Sequence, residues 1–385
     1  MTDMTDMHQS IKPSGEPGSD LGKPRILFST QLDGAALQHV LMDAGVLDQL
    51  AQHDYGLAMG MLDLSDERAR VVRWLNERGV YTVAWMLLPL DEGCWFNLQN
   101  YPQALERYRA FREWVRHHQI TFDAIGLDIE PPASEFVDLH HLRMRDIARR
   151  LWLSHENVLY PAARDAYTDM IAEIHEDGYE VHTYQIPLLA DDRRAGTTLL
   201  QRSLDVIDLP ADIEVLKCNS GLPLSTPGAH LQGALIASYG PSADSIGVGN
   251  VDGHTVGECA DAPALALPWE TLKRDLLLAA RYTDTIYLFS LEGCLRRGLL
   301  AHIAALDWDS EPHVVRHKRF QVAMLRSVLL LVLLVARFHR VLLAWMGWAV
   351  ALLLLARQMQ QARAKKEKTL FTGRKKPDET VTGKN

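Results

Sequence analysis

From Arg25 onward, short apolar runs alternate with segments whose apolar residues recur at helical spacing. The runs are R-I-L-F-S (25–29), Y-G-L-A-M-G-M-L (55–62), V-Y-T-V-A-W-M-L-L (80–88), A-I-G-L-D-I-E (124–130), Y-E-V-H-T-Y-Q-I (179–186), I-E-V-L-K-C-N (213–219), S-I-G-V-G-N-V (245–251) and T-I-Y-L-F-S-L (285–291). Most are almost continuously apolar, as in a parallel sheet covered on both faces. Between them, Ser65 to Gly79 has the marks of a helix: Ser65 as N-cap, Asp66 and Glu67 in the first turn, a closing Gly79. Residues 102–119 and 268–282 carry the same periodicity. Eight strands alternating with helices over about 285 residues predict a (β/α)8 TIM barrel spanning 25–308. An open doubly wound sheet is the alternative, but no glycine-rich phosphate loop follows the first run. The longest connection, between Glu130 and Tyr179, holds helical patterns at 138–153 and 160–177. It reads as a lid or wall beside the fourth strand, or as a padded barrel helix.

The fourth run breaks the apolar pattern. In F-D-A-I-G-L-D-I-E-P-P (122–132), Gly126, Asp128 and Glu130 share one face, and Ile125, Leu127 and Ile129 the other. The Asp128 and Glu130 Cα atoms are roughly 6–7 Å apart at strand rise. Pro131 and Pro132 end the strand, so both carboxylates belong at the C-terminal mouth, where barrel active sites are built. Two neighbouring carboxylates do not ionise together easily. That suits Glu130 as proton donor beside an anionic Asp128. The competing reading is an acid pair bonded to Lys, Arg or His from neighbouring strands.

D-A-I-G-L-D-I-E resembles the D-x-x-D-x-D-x-E strand of family-18 glycoside hydrolases, the chitinase-like barrels, with Gly126 standing where that pattern has its second acid. Lysozyme-like barrels of family 25 carry a similar D-x-E pair. The resemblance implies retention with substrate assistance on an N-acetylhexosamine. Glu130 would be acid then base, Asp128 would orient the acetamido group, and Asp123 would support it from deeper in the barrel. The Met-x-Tyr-Asp motif expected on strand six is replaced by L-K-C-N-S, and strand eight lacks the usual terminal tryptophan.

Other strand ends offer substrate-binding candidates: Trp85 and Trp95 as stacking platforms, Tyr184 and Gln185, Asn219, Asn250, Asp252 and Glu292. Glu130 with Asp252 or Glu292 would make a conventional acid and nucleophile pair. Glu130, His182, His254 and Glu292 would make a metal set. The favoured reading needs neither metal nor other cofactor. The four cysteines, Cys94, Cys218, Cys259 and Cys294, show no C-x-x-C spacing and read as free thiols of a reducing compartment.

Charge divides the chain. Residues from His313 to the end carry 15 Lys and Arg against 3 Asp and Glu, and the preceding part carries 25 against 46. An acidic body excludes nucleic acid as the natural partner. Residues 1–24, polar and rich in Gly and Pro, read as a disordered leader, and 309–326 as a basic linker. Within 327–356 two apolar runs flank R-F-H-R, followed by a basic tail at 357–385. This segment predicts membrane association, with anionic lipid as partner for the tail. A re-entrant hairpin or interfacial helix, with the barrel on the cytoplasmic side, suits basic residues on both flanks. A single tail-anchored span, or a buried helical hairpin for oligomerisation, is the alternative. The favoured function is a membrane-associated glycosidase acting on a glycan or glycolipid. The alternative is an inactive barrel that binds glycan or scaffolds a membrane complex.

Overall fold

The computed structural model describes residues 22–42, 45–132, 157–218, 231–249, 251 and 267–372. Eight parallel strands close into a barrel in sequence order: β1 (Arg25–Thr30), β2 (Gly56–Gly60), β3 (Thr82–Met86), β4 (Ala124–Asp128), β5 (Glu180–Gln185), β6 (Ile213–Lys217), β7 (Ser245–Gly249) and β8 (Thr285–Phe289). Each falls on a predicted apolar run; β1 runs one residue past its run and the others are trimmed. β8 pairs back to β1, with Leu27 beside Tyr287. The chain is thus a (β/α)8 barrel followed by an apolar C-terminal helix.

The helices between strands follow the sequence signals. In Asp66–Glu77 the backbone N–H of Arg68 donates to Ser65 Oγ at 3.2 Å, the expected cap. Tyr101–His118, Leu159–Glu176 and Trp269–Ala279 match their periodic segments. Of the long connection after Glu130, the helix at Leu159–Glu176 is described; the 138–153 pattern lies outside the described residues.

Alternation along each strand sends one set of side chains into the barrel. Leu27, Ala58, Val83, Trp85, Ala124, Tyr184, Val215 and Tyr287 pack together in the interior. This fills the barrel below its mouth, so the polar groups that share the inward face are held among apolar neighbours.

After the barrel, Arg316–Thr372 forms one helix, with no turn at R-F-H-R. Its first part is tied down at Arg326: Nη2 donates to Asp191 Oδ1 at 2.8 Å, Nη1 donates to the Ser238 carbonyl, and the guanidinium lies 3.9 Å from the Tyr239 ring centroid. Further along, Val341–Lys365 is long and apolar enough to cross a membrane, and its apolar core is not buried against protein.

Candidate active site

Asp128 is the last residue of β4 and Lys217 the last of β6, both on inward faces. Lys217 Nζ donates to Asp128 Oδ1 at 2.5 Å and also to Glu130 Oε1. Trp85 Nε1 donates to the other Asp128 oxygen at 3.1 Å. Glu130 lies past the strand end, yet its backbone is pinned: Glu130 N–H donates to the Phe96 carbonyl at 3.1 Å, and Phe96 N–H to the Asp128 carbonyl at 2.9 Å. The loop after β3 thereby extends the β4 edge by one bridge, Phe96 to Ile129, before the prolines.

Asp128 is 2% exposed and Glu130 8%. Burial pushes the Asp128 carboxyl up to about 6; the Lys217 ammonium pulls it down and the Glu130 charge adds to the rise. Burial alone would lower Lys217, but Asp128 and Glu130 outweigh it and hold the ammonium above the ordinary lysine range. Two ionised carboxylates around one ammonium leave a net negative charge in an apolar surround. The cluster therefore takes up a proton at about pH 6, above the ordinary carboxylate range, and that proton belongs to the group as a whole. The sequence reading put the raised carboxyl on Glu130; the structure raises Asp128, because Asp128 lies deeper.

Gly126, where the resembling pattern has an acid, has a direct cause. A Cβ there would lie 2.6 Å from Tyr184 Cε2 and 2.8 Å from the Tyr184 hydroxyl oxygen. The tyrosine ring fills the place of a side chain. Tyr184 meets Tyr287 edge to face at 5.2 Å, and the Tyr287 hydroxyl bonds His182 Nδ1 below. Burial lowers the His182 pKa, so this imidazole is kept neutral. Trp85, Tyr184, Tyr287 and Phe289 wall a cavity of about 50 Å³ that reaches Asp128 and Lys217.

Of the predicted residues, Asp128, Glu130, Trp85 and Tyr184 converge here. Trp95 is half-buried and packs against the same interior cluster. Asp123 lies elsewhere: it precedes β4, and its carboxylate accepts from Thr82 N–H at 2.6 Å and from the Thr82 hydroxyl at 3.1 Å. Five residues of strand rise, roughly 16 Å, separate its Cα from that of Asp128. Gln185 points the other way, because it alternates with Tyr184. Its amide nitrogen faces Glu214 Oε1 at 3.0 Å and Asp208 Oδ1 at 3.2 Å. Glu292 accepts from the Thr30 hydroxyl at 2.7 Å and Gln31 N–H at 3.1 Å, tying the end of β8 to β1. His182 and Glu292 are thus each engaged separately, and the metal set they were drawn into is not gathered among the described residues. Asn219, Asn250, Asp252 and His254 lie outside the described residues.

Lys217 was missed by sequence reasoning. Its signal was present as a lysine closing the apolar run I-E-V-L-K-C, in phase with inward Val215. The cysteine reading also changes. Cys218 and Cys294 are buried thiols outside any disulfide, but Cys94, in the loop after β3, is disulfide-bonded.

No protein-family model matches the chain, and no curated protein matches it. Solved structures of similar fold include a GH18 chitinase from Pseudoalteromonas aurantia (10% identity, 74% of this chain and 100% of that one, TM-score 0.42). The glycoside hydrolase domain of PgaB (BpsB) from Bordetella bronchiseptica is another (9%, 74% and 99%, 0.44). The D-psicose 3-epimerase of Clostridium cellulolyticum H10 is similar too (8%, 80% and 99%, 0.36). Likenesses at this level are of barrel architecture alone, and chemistry is argued from the site.

Proposed function

We propose that the barrel is a glycosidase-type hydrolase acting on a glycan or glycolipid, with the chain held at a membrane through its C-terminal helix. The observation that carries this reading is the convergence of Asp128 and Glu130 on one ammonium beside an aromatic-walled cavity. Two carboxylate oxygens bonded to one nitrogen lie within about 5–6 Å of each other. That is near the spacing of retaining enzymes and below the ~6.5–9.5 Å that admits a water between the carboxyls of inverting ones. Both acids rise from one face of one strand, so they approach the sugar from the same side. An opposing enzyme nucleophile is then not needed if the 2-acetamido oxygen of an N-acetylhexosamine attacks the anomeric carbon.

In this mechanism Glu130, nearer the mouth, delivers the cluster proton to the leaving glycosidic oxygen. Asp128, held by Trp85 and Lys217, faces the positive charge that develops on the acetamido group. Glu130 then takes a proton from the water that opens the intermediate. Lys217 loosens its bond to Glu130 as the substrate oxygen takes its place, and keeps Asp128 in position.

Turnover of aryl N-acetylglucosaminides and other aryl glycosides by wild type and Glu130→Gln tests this reading. Hydrolysis by wild type that is lost in the variant supports it, and equal turnover by both overturns it. The Lys217 contact also favours a second reading, a barrel that binds glycan without cleaving it, since the ammonium occupies the proton donor. Glycan binding by calorimetry with no turnover in wild type would favour that reading. Binding of a thiazoline mimic of the acetamido intermediate separates substrate assistance from a two-carboxylate route.

A further inference from the structure

Two apolar helical stretches follow the barrel, Arg316–His339 and Val341–Lys365, and they are not equivalent. The first is tied to the barrel near its start, at Val322 and Arg326, although Leu331, Val335 and Phe338 further along are about half exposed. Val322 is 3% exposed, and Arg326 is bonded to Asp191 and Ser238 and stacked on Tyr239. A half-buried guanidinium with these partners does not readily leave them for hydrocarbon. In the second stretch Trp345 and Trp348 are 72% and 69% exposed, and Leu352 to Leu355 are each more than half exposed. A solvent-exposed apolar surface of this extent marks a lipid or protein contact.

We infer that Val341–Lys365 crosses a lipid bilayer once, with the barrel on the oxidising face and the basic tail on the cytoplasmic face. A hairpin needs a turn between two apolar arms, and the helix runs unbroken through R-F-H-R. The wholly apolar residues 341–356 span about 24 Å at the helical rise. A ~30 Å hydrocarbon core is reached because Arg337 at one end, and Arg357 and Arg363 at the other, extend their charges toward the headgroups.

Sidedness rests on two independent observations. Residues 357–376 carry eight Lys and Arg, whereas Arg337 and Arg340 are the basic residues directly before the span. The richer flank stays in the cytoplasm. Separately, Cys94 is disulfide-bonded, and disulfides persist in oxidising compartments. The occupant of the helix surface is therefore a bilayer, with anionic headgroups on the tail side matching the basic residues. Sequence reasoning placed the barrel in the cytoplasm because basic residues flank the apolar runs on both sides, and it read the cysteines separately as free thiols.

The inference rests on the membrane reading above and not on the sugar chemistry, so its test uses no substrate. The full chain, tagged at its C-terminus, is expressed in cells and its membranes are washed with alkaline carbonate. Retention in the pellet is expected; release into the supernatant overturns the membrane reading itself. Protease added to intact spheroplasts should remove the barrel and spare the tag, and inverted vesicles should give the reverse loss. Barrel and tag cleaved from the same side overturn the single crossing. Alkylation of thiols in acid-quenched cells should modify two of the four cysteines before reduction and all four after. Modification of all four without reductant overturns the oxidising placement.

Discussion

Lys217 Nζ sits 2.5 Å from Asp128 Oδ1 and bonds Glu130 with the same ammonium, joining β6 to β4 across the inside of the barrel. The two acids of the D-x-E strand and Lys217 are therefore three charged groups acting as one. Their chemistry cannot be read from the carboxylates alone.

Glu130→Gln keeps the shape of the side chain and removes its proton. It is expected to lower turnover of a cleaved aryl glycoside by about 10²–10⁴-fold, the usual worth of a general acid. Circular dichroism and melting temperature should stay close to wild type.

Lys217→Met leaves two buried carboxylates without their cation. Breaking a buried pair in this way costs about 3–5 kcal/mol. The deficit should shrink as pH falls below about 6, because protonation discharges the stranded acids. Urea unfolding of wild type and variant at several pH values measures it; a deficit independent of pH would show that lost packing dominates.

Asp128 is held at about 6 in the folded chain against an ordinary 3.8. Between those values the folded state binds the proton that the unfolded state releases, so this group's contribution weakens as pH rises from about 4 to about 6. The change is on the order of 3 kcal/mol for two pH units. Relative to Asp128→Asn, wild type should therefore gain stability on acidification through that window. For the proposed hydrolysis, turnover should fall as pH rises through about 6 and the cluster loses its proton.

Gly126→Ala puts a Cβ against Tyr184 and should cost about 1–3 kcal/mol of stability. Combined with Tyr184→Leu, the loss should be smaller than the sum of the two single losses, since one substitution makes room for the other. Strict additivity in this cycle would mean that the ring is not what keeps position 126 a glycine.

Much of the fold was open to reading because its cause is local. Eight apolar runs bounded by turns, with amphipathic helices between, leave few architectures besides a closed barrel, and β1 to β8 fall on those runs. Glu130 and Asp128 were legible for the same reason: two acids two residues apart before Pro131 face one way whatever surrounds them. Gln185 was a misreading that alternation alone could have prevented, since it cannot share a face with Tyr184. Asp123 was carried in by resemblance, although its place at the start of β4 sets it at the far end of the strand from the mouth.

The sequence by itself determined the strand order, the D-x-E face, the acidic body and the apolar C-terminal stretch. Each follows from periodicity, spacing or composition within a short length of chain. Only the tertiary structure decided that Lys217 holds both acids, that Tyr184 replaces a side chain at Gly126, and that Arg326 ties the start of the C-terminal helix to the barrel. These contacts join residues 58 to 135 positions apart. They depend on closure, register and side-chain direction, which a one-dimensional pattern of apolar and polar residues does not encode.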